Sequence, residues 1–505
     1  MRIAYVLAGV SGLVATTSSL ATAGVVWQTV IGDGQAIGSE QNPSDTVDTF
    51  ESAFQVVVGP GGSVAVSAQG SDPNDINYIL YQAAGSNTLQ TLASGGDMVN
   101  NHEIDDFGNL ALSSNPSSGT RVTYLAGPGG GGFAGLYQQD IGSAVQEVAY
   151  NANSNDLDTV PIQVNSGGQV IYEGTDSNGA AVFLGSAGTT ATTLFTASNG
   201  SGNLTSTSNR LGLYANGLGW GVISNSTVNL SALSGTASSV SGSATVGQLL
   251  AATSFGSTGA VIYTTTDASN PNQTDLEYYN GSTTPIGSFI GSSASANSPQ
   301  VAAELAVNPS EAINPSEAIN AAYYQPDSDG GTLRFFNGTS SSIIATTSSA
   351  TSPVDHAFDP LNPGADDVIE QLSVLLSTPM VNDNGIVVFD GEIEDASLAD
   401  PVEHQALLEW DNGQLTVLLQ QGQMLAGLGT VDGILVNSLT SESDVLKDSL
   451  SDDNYLAAIV SLDDGNDAVI ETLLPEPTIA LSLAMVAAPL LLRRRRRAGE
   501  LLVQD

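Results

Sequence analysis

The sequence predicts an all-β fold, an eight-bladed β-propeller, and three observations carry that expectation. A Gly turn followed by alternating apolar residues recurs along the chain. Further short strand-like runs follow each copy. A segment near the N-terminus supplies a strand that the last copy lacks. Alternation with period two is the pattern of a half-buried strand, and short strands at regular spacing between Gly turns indicate repeated small sheets.

The unit reads Gly62-Ser63-Val64-Ala65-Val66, then Gly108-Asn109-Leu110-Ala111-Leu112, Gly168-Gln169-Val170-Ile171-Tyr172 and Gly259-Ala260-Val261-Ile262-Tyr263. Its clearest copy is Asn382-Asp383-Asn384-Gly385-Ile386-Val387-Val388-Phe389. Degraded copies begin at Gly219 and Asn454. An eighth follows a six-residue duplication, Asn308 to Ile313 repeated as Asn314 to Ile319, and continues as Asn320-Ala321-Ala322-Tyr323-Tyr324. The anchors are spaced by about 56 residues, room for three or four short strands each. Second runs such as Leu333-Arg334-Phe335-Phe336-Asn337-Gly338 and Leu407-Leu408-Glu409-Trp410-Asp411-Asn412-Gly413 end on Asn-Gly. That pair supplies the positive φ of a tight hairpin.

The eighth unit stops after Ala468 to Leu473. Val30-Ile31-Gly32-Asp33-Gly34-Gln35-Ala36-Ile37 lines up with Leu418-Leu419-Gln420-Gln421-Gly422-Gln423-Met424-Leu425, so the N-terminus is expected to complete the last blade. Closing a ring in this way removes exposed sheet edges. One stretch, Asp366 to Leu376, has an acidic start and helical apolar spacing. It reads either as a short helix or as the outer strand leading into the seventh unit.

Composition narrows the functions. The chain has no cysteine, 41% apolar residues and a formal charge of −42. Of the 52 acids, Glu476, Glu500 and Asp505 lie beyond residue 474; the remaining 49 face only Arg121, Arg210, Arg334 and Lys447 between residues 24 and 474. Phosphate recognition needs a cationic surface, so nucleic acid is excluded as a partner.

The two ends read as handling signals. Met1-Arg2, an apolar run from Ile3 to Ala15, and Ala21-Thr22-Ala23 before Gly24 have the layout of a signal peptide over residues 1–23. At the other end, Pro475-Glu476-Pro477 precedes an apolar run from Ile479 to Leu492 and then Arg493, Arg494, Arg495, Arg496 and Arg497. Arginines after an apolar run hold that end in the cytoplasm. The run would reach about 21 Å, against roughly 30 Å of hydrocarbon, and Pro489 interrupts it.

This order of elements resembles the PEP-CTERM sorting signal of Gram-negative bacteria, and the body resembles PEP-CTERM proteins with propeller-like Asn-x-x-Gly units. The resemblance implies an exosortase-type membrane protease as a partner and cleavage near Pro475–Pro477. It also implies a transient inner-membrane anchor and release to the outer envelope, cell surface or beyond, in bacteria that make exopolysaccharide. The domains expected are the signal peptide 1–23, the repeat body 24–474, the sorting signal 475–497 with its apolar segment 479–492, and a cytoplasmic tail 498–505.

Little chemistry is legible. His102, His356 and His404 form no zinc spacing, and no nucleophile elbow or phosphate loop occurs. His102 lies beside Glu103, Asp105 and Asp106, and His356 beside Asp355 and Asp359; each is a metal or acid/base candidate. Alternating carboxylates closed by Gly can hold Ca²⁺. Asp327 and Asp329, and the turn from Asp463 to Asp467, are the places for it, although hairpin turns use the same residues. The function expected is noncatalytic: an exported structural or binding propeller with no catalytic residues and no cofactor beyond that calcium. The alternatives are a glycan-active hydrolase using paired carboxylates at the propeller channel, and a calcium-dependent adhesion module.

Overall fold

The computed structural model describes residues 25–474, except 38–43, 50–55, 60, 72–75, 116–118, 129–133, 151–162, 165–167, 177–178, 197–219, 225–226, 232–237, 241–244, 254–259, 267–272, 280–281, 291–305, 308–319, 328–329, 347–352, 357–367, 376–378, 383, 395–402, 436–448 and 452. The residues of the expected signal cleavage, Ala21, Ala23 and Gly24, and of the expected sorting signal, Pro475 to Arg497, lie outside these. Asp329 does too.

The protein is all-β: every described regular element is a strand, and every pairing is antiparallel. Among the described residues eight sheets of three to six strands follow one another along the chain, with a separate two-stranded hairpin, Asp97–Val99 and His102–Ile104, between the first and second. The second sheet is typical, with Asp106–Asn115, Gly119–Gly127, Gly135–Asp140 and Gln146–Tyr150 laid side by side in chain order. The seventh is built on Val387–Glu394 and Glu403–Asp411. The stretch that allowed a helix or a strand is a strand, Val368–Leu375, paired with Val387–Glu394. Among the described residues no helix is long and apolar enough to cross a membrane. The expected C-terminal apolar helix lies outside them.

The eighth sheet takes its outer strand from the other end of the chain. Gln28–Gly32 pairs with Asp467–Leu473, Gln28 opposite Glu471 and Gly32 opposite Ala468. Trp27 Nε1 donates to the Leu418 carbonyl at 3.0 Å, and Thr472 Oγ1 donates to the Val26 carbonyl at 3.0 Å. Val30, Ile31, Val64, Val66, Ile459 and Val469 share one apolar cluster, so the first and last sheets pack face to face. A second cluster joins the seventh sheet to the eighth through Val388, Leu407, Leu456 and Ile470. Among the described residues the eight sheets are not closed into a propeller ring; the expectation is met for the all-β class and for the N-terminal strand.

One anchor of the repeat is displaced. Gly108 lies inside Asp106–Asn115, the first strand of the second sheet. The turn glycine equivalent to Gly62 is Gly119, whose φ of 94° opens the next strand. The sequence run misleads because each of the two strands contains a Gly followed by alternating residues. Conversely, the alignment of 30–37 with 418–425 has a third copy at 92–99. In all three the side-chain oxygen of the residue after the turn glycine accepts a backbone N–H three residues earlier: Gln35 from Gly32, Asp97 from Ser94 and Gln423 from Gln420. These turns carry the chain from one sheet to the next.

Candidate functional site

Register builds a row of side chains across the second sheet. Tyr124 stands opposite Leu110 on one neighbour and Tyr137 on the other, and Tyr137 stands opposite Glu147. Partners across an antiparallel ladder project to the same face, here the face packed on the first sheet, where Tyr124 and Tyr137 join Ile79 and Tyr81 in one cluster. A two-residue turn, Asn100 and Asn101 at φ 50° and 67°, folds Asp97–Val99 onto His102–Ile104. Asn tolerates this left-handed backbone better than other side-chain-bearing residues.

That hairpin delivers His102 to the end of the row. His102 Nδ1 lies 2.8 Å from Glu147 Oε2, and the imidazole stacks on Tyr150 with ring centroids 3.4 Å apart and planes 9° from parallel. Both side chains keep contact with solvent, His102 at 32% and Glu147 at 18%. The carboxylate fixes the ring through Nδ1, so Nε2 is the nitrogen placed to exchange a proton. The acid it meets, Glu147, was not legible beside it in sequence, because it arrives through register, four strands further along the chain.

The other candidates separate. His404 is half-buried opposite Ile393 in the seventh sheet, and His356 pairs with Val368 at that sheet's edge. Asp327 pairs with Gly330 across its own hairpin. Asp463 is exposed, its Oδ1 accepting from Thr430 N at 3.2 Å, while Asp467 begins a strand. In that turn Asp464 accepts from Asn466 N and Nδ2, so its carboxylate serves the turn. Among the described residues no three metal-ligating side chains converge.

A group of buried acids went unrecognised. On the seventh sheet Asp390 and Glu409 are 3% and 6% exposed, and burial raises both carboxyls to about 7. Gln405 binds Asp390 through Nε2 at 2.8 Å, and the same amide bridges to the eighth sheet, accepting from Ile434 N and donating to Ile434 O. Glu471 on the eighth sheet is likewise raised to about 7 by burial. In sequence these acids look like the rest of an acidic chain.

No family model and no curated protein matches the chain. Solved structures do. A puromycin hydrolase complexed with PGG is 12% identical at a TM-score of 0.37, covering 88% of this chain and 60% of that one. A Mycobacterium tuberculosis puromycin-hydrolyzing peptidase is 10% identical at 0.39, covering 78% and 56%. Porphyromonas gingivalis dipeptidyl peptidase 4 is 10% identical at 0.45, covering 81% and 57%. The chain thus spans less than two thirds of the length of these structures. These three structures are hydrolases by name, against the expectation of a noncatalytic structural or binding protein that is not an enzyme; a eukaryotic initiation factor also matches, 10% identical at a TM-score of 0.34. Their activities and substrates remain their own.

Proposed function

We propose that this chain is an exported, eight-bladed β-propeller hydrolase acting on glycans, with His102 and Glu147 as its proton-transfer pair. The observation that carries the reading is the 2.8 Å contact between a solvent-touching imidazole and a carboxylate that orients it. Glycoside hydrolysis needs a proton for the leaving oxygen and a base for the attacking water. His102, held through Nδ1, can pass a proton at Nε2, and Asp97 on the same hairpin is a second carboxylate. The propeller is supported by eight consecutive sheets and by the N-terminal strand on the last of them. Export and sorting rest on the terminal signals and the PEP-CTERM resemblance. Intact-mass measurement on protein from the native host tests that part: the sorting reading expects loss of Arg493 to Asp505, and a retained tail refutes it.

The catalytic part is tested by turnover of a polysaccharide panel with the full chain. H102Q and E147Q are expected to lower kcat by about 10²–10⁴-fold without moving the melting temperature. Absence of turnover across the panel, or turnover indifferent to both changes, refutes it.

A further inference from the structure

We infer that the corner of the eighth sheet where both ends of the chain leave it, marked by Val26 and Leu473, is a docking surface for a phospholipid bilayer. The inference rests on the terminal-signal part of the proposed function and adds to it which part of the body the membrane meets.

Register brings the two ends together. Gln28 stands opposite Glu471, and two residues further out Val26 lies beside Leu473, held by the Thr472 hydroxyl that donates to the Val26 carbonyl at 3.0 Å. Neighbouring strands run about 5 Å apart. The segment before Val26 and the segment after Leu474 therefore leave the body at one point. Both exits are tight. Val25 and Trp27 pack on the apolar cluster that joins the seventh and eighth sheets. Leu474 is fully buried, and its N–H donates to the Asn454 carbonyl at 2.8 Å.

Tether length then fixes which way the body faces. The apolar run begins at Ile479, five Cα steps beyond Leu474, and those steps reach at most about 18 Å. A compact body of about 450 residues has a radius of gyration of about 22 Å. The tether is shorter than that radius. With Ile479 to Leu492 in the bilayer, the exit corner itself has to lie at the membrane surface. The expected signal peptide ends at Ala23, three residues before Val26, and draws the same corner to the membrane from the other end of the chain.

The corner is also chemically suited to lipid. Val26 is 73% exposed and Leu473 55%. Residues Gly24 to Gly32 include no charged side chain, and Ala468 to Leu474 include one, Glu471. That side chain is turned toward the first sheet, where a Cβ on Gly62 would strike its carboxyl. Asp453, beside Asn454, is exposed, and its Oδ2 accepts from Gly61 N at 3.1 Å. The protein as a whole carries a net charge of −42. Anionic headgroups repel such a body, so a corner poor in charge is the part that approaches a bilayer at least cost. The apolar pair gains there by leaving water. The other exposed large apolar side chains, Met98, Ile343 and Met424, belong to strands that carry neither exit.

The chain has no cysteine, so a single introduced cysteine carries a label at one chosen place. V26C, L473C and, as a control of matching exposure on the sixth sheet, I343C are labelled in the full chain with an environment-sensitive fluorophore. Each is mixed with phosphatidylcholine vesicles that contain headgroup-spin-labelled lipid. Flotation with the vesicles reads the membrane part of the proposed function, and quenching reads the inference. The labels at 26 and 473 are expected to shift to the blue and to be quenched several-fold more than the label at 343. A chain that floats with all three labels quenched alike, or with none quenched, overturns the inference and leaves the anchoring reading standing. A chain that stays out of the vesicle fraction refutes both. Labels at 26 and 473 that are shielded without vesicles, and freed when Ile479 to Leu492 is replaced by a Gly/Ser segment, mean that the apolar run covers the pair itself. That result also overturns the inference.

Discussion

Asn382 Nδ2 donates to Asn454 Oδ1 at 2.7 Å, tying the turn that opens the central strand of the seventh sheet to the equivalent turn of the eighth. Both asparagines are buried. Asn382 also organises its own turn, its Oδ1 accepting from Asn384 N and Ile386 N at 3.1 Å each. Asn320 of the sixth sheet reaches the Asn382 carbonyl at 3.4 Å. In the turn from Asn382 to Gly385 one amide thus closes the turn and joins it to the next sheet.

Replacing Asn382 by Ala should cost about 1–3 kcal/mol, because two backbone N–H groups lose their acceptor in a buried place. Chemical denaturation checks this. A loss below a few tenths of a kcal/mol would mean that water takes over the turn.

The same turn in the first sheet meets the last sheet. Gly62 has φ 83°, and a Cβ there would run into Glu471 and the ring of Tyr455. Gly62→Ala should destabilise through both strain and collision, by more than the roughly 1 kcal/mol of a left-handed Ala alone. An equal cost for Gly34→Ala, where φ is 74° but the space is open, would show that only the backbone term operates.

Removal of residues 24–38 strips the outer strand from the eighth sheet and the partners of Val469 and Ile470. Asp467–Leu473 is then left as the exposed edge of the sheet. Scanning calorimetry should find a broadened transition and light scattering a tendency to aggregate. Unchanged melting would mean that this strand is dispensable.

Local pattern carried the strands well, because alternation and Gly turns are local signals. The N-terminal strand was legible for a less common reason: residues 30–37 repeat the wording of 418–425, and the structure uses both as a strand followed by the same turn. Gly108 failed because Gly-then-alternation describes two adjacent strands of one unit equally well. The His102 site was half legible. A histidine among acids drew attention, but its real partner, Glu147, depends on the pairing of Gly135–Asp140 with Gln146–Tyr150. Tyr124 and Tyr137 gave no signal as single residues, since any apolar strand position can hold a tyrosine; only register puts them side by side.

The buried acids predict how stability follows pH. Asp390, Glu409 and Glu471 are raised to about 7 from ordinary values of 3.8, 4.5 and 4.5, in each case chiefly by burial. A raised carboxyl pKa means that the folded chain holds its proton where the unfolded chain has released it. The stability these groups allow is therefore fully present below about 4 and is lost progressively as pH rises to about 7, where the folded form must ionise them too. Glu409→Gln removes the charge from one site while keeping the shape. Asp390→Asn also keeps an oxygen for the Gln405 amide that bridges to the eighth sheet. Each variant should match the wild type at pH 4 and exceed it at pH 8, on the order of 1–3 kcal/mol for a buried carboxyl that must ionise. Urea unfolding at the two pH values reads this directly. A variant equally stabilised at both would point to packing, and one less stable at pH 8 would mean that the native carboxylate is ionised and paired.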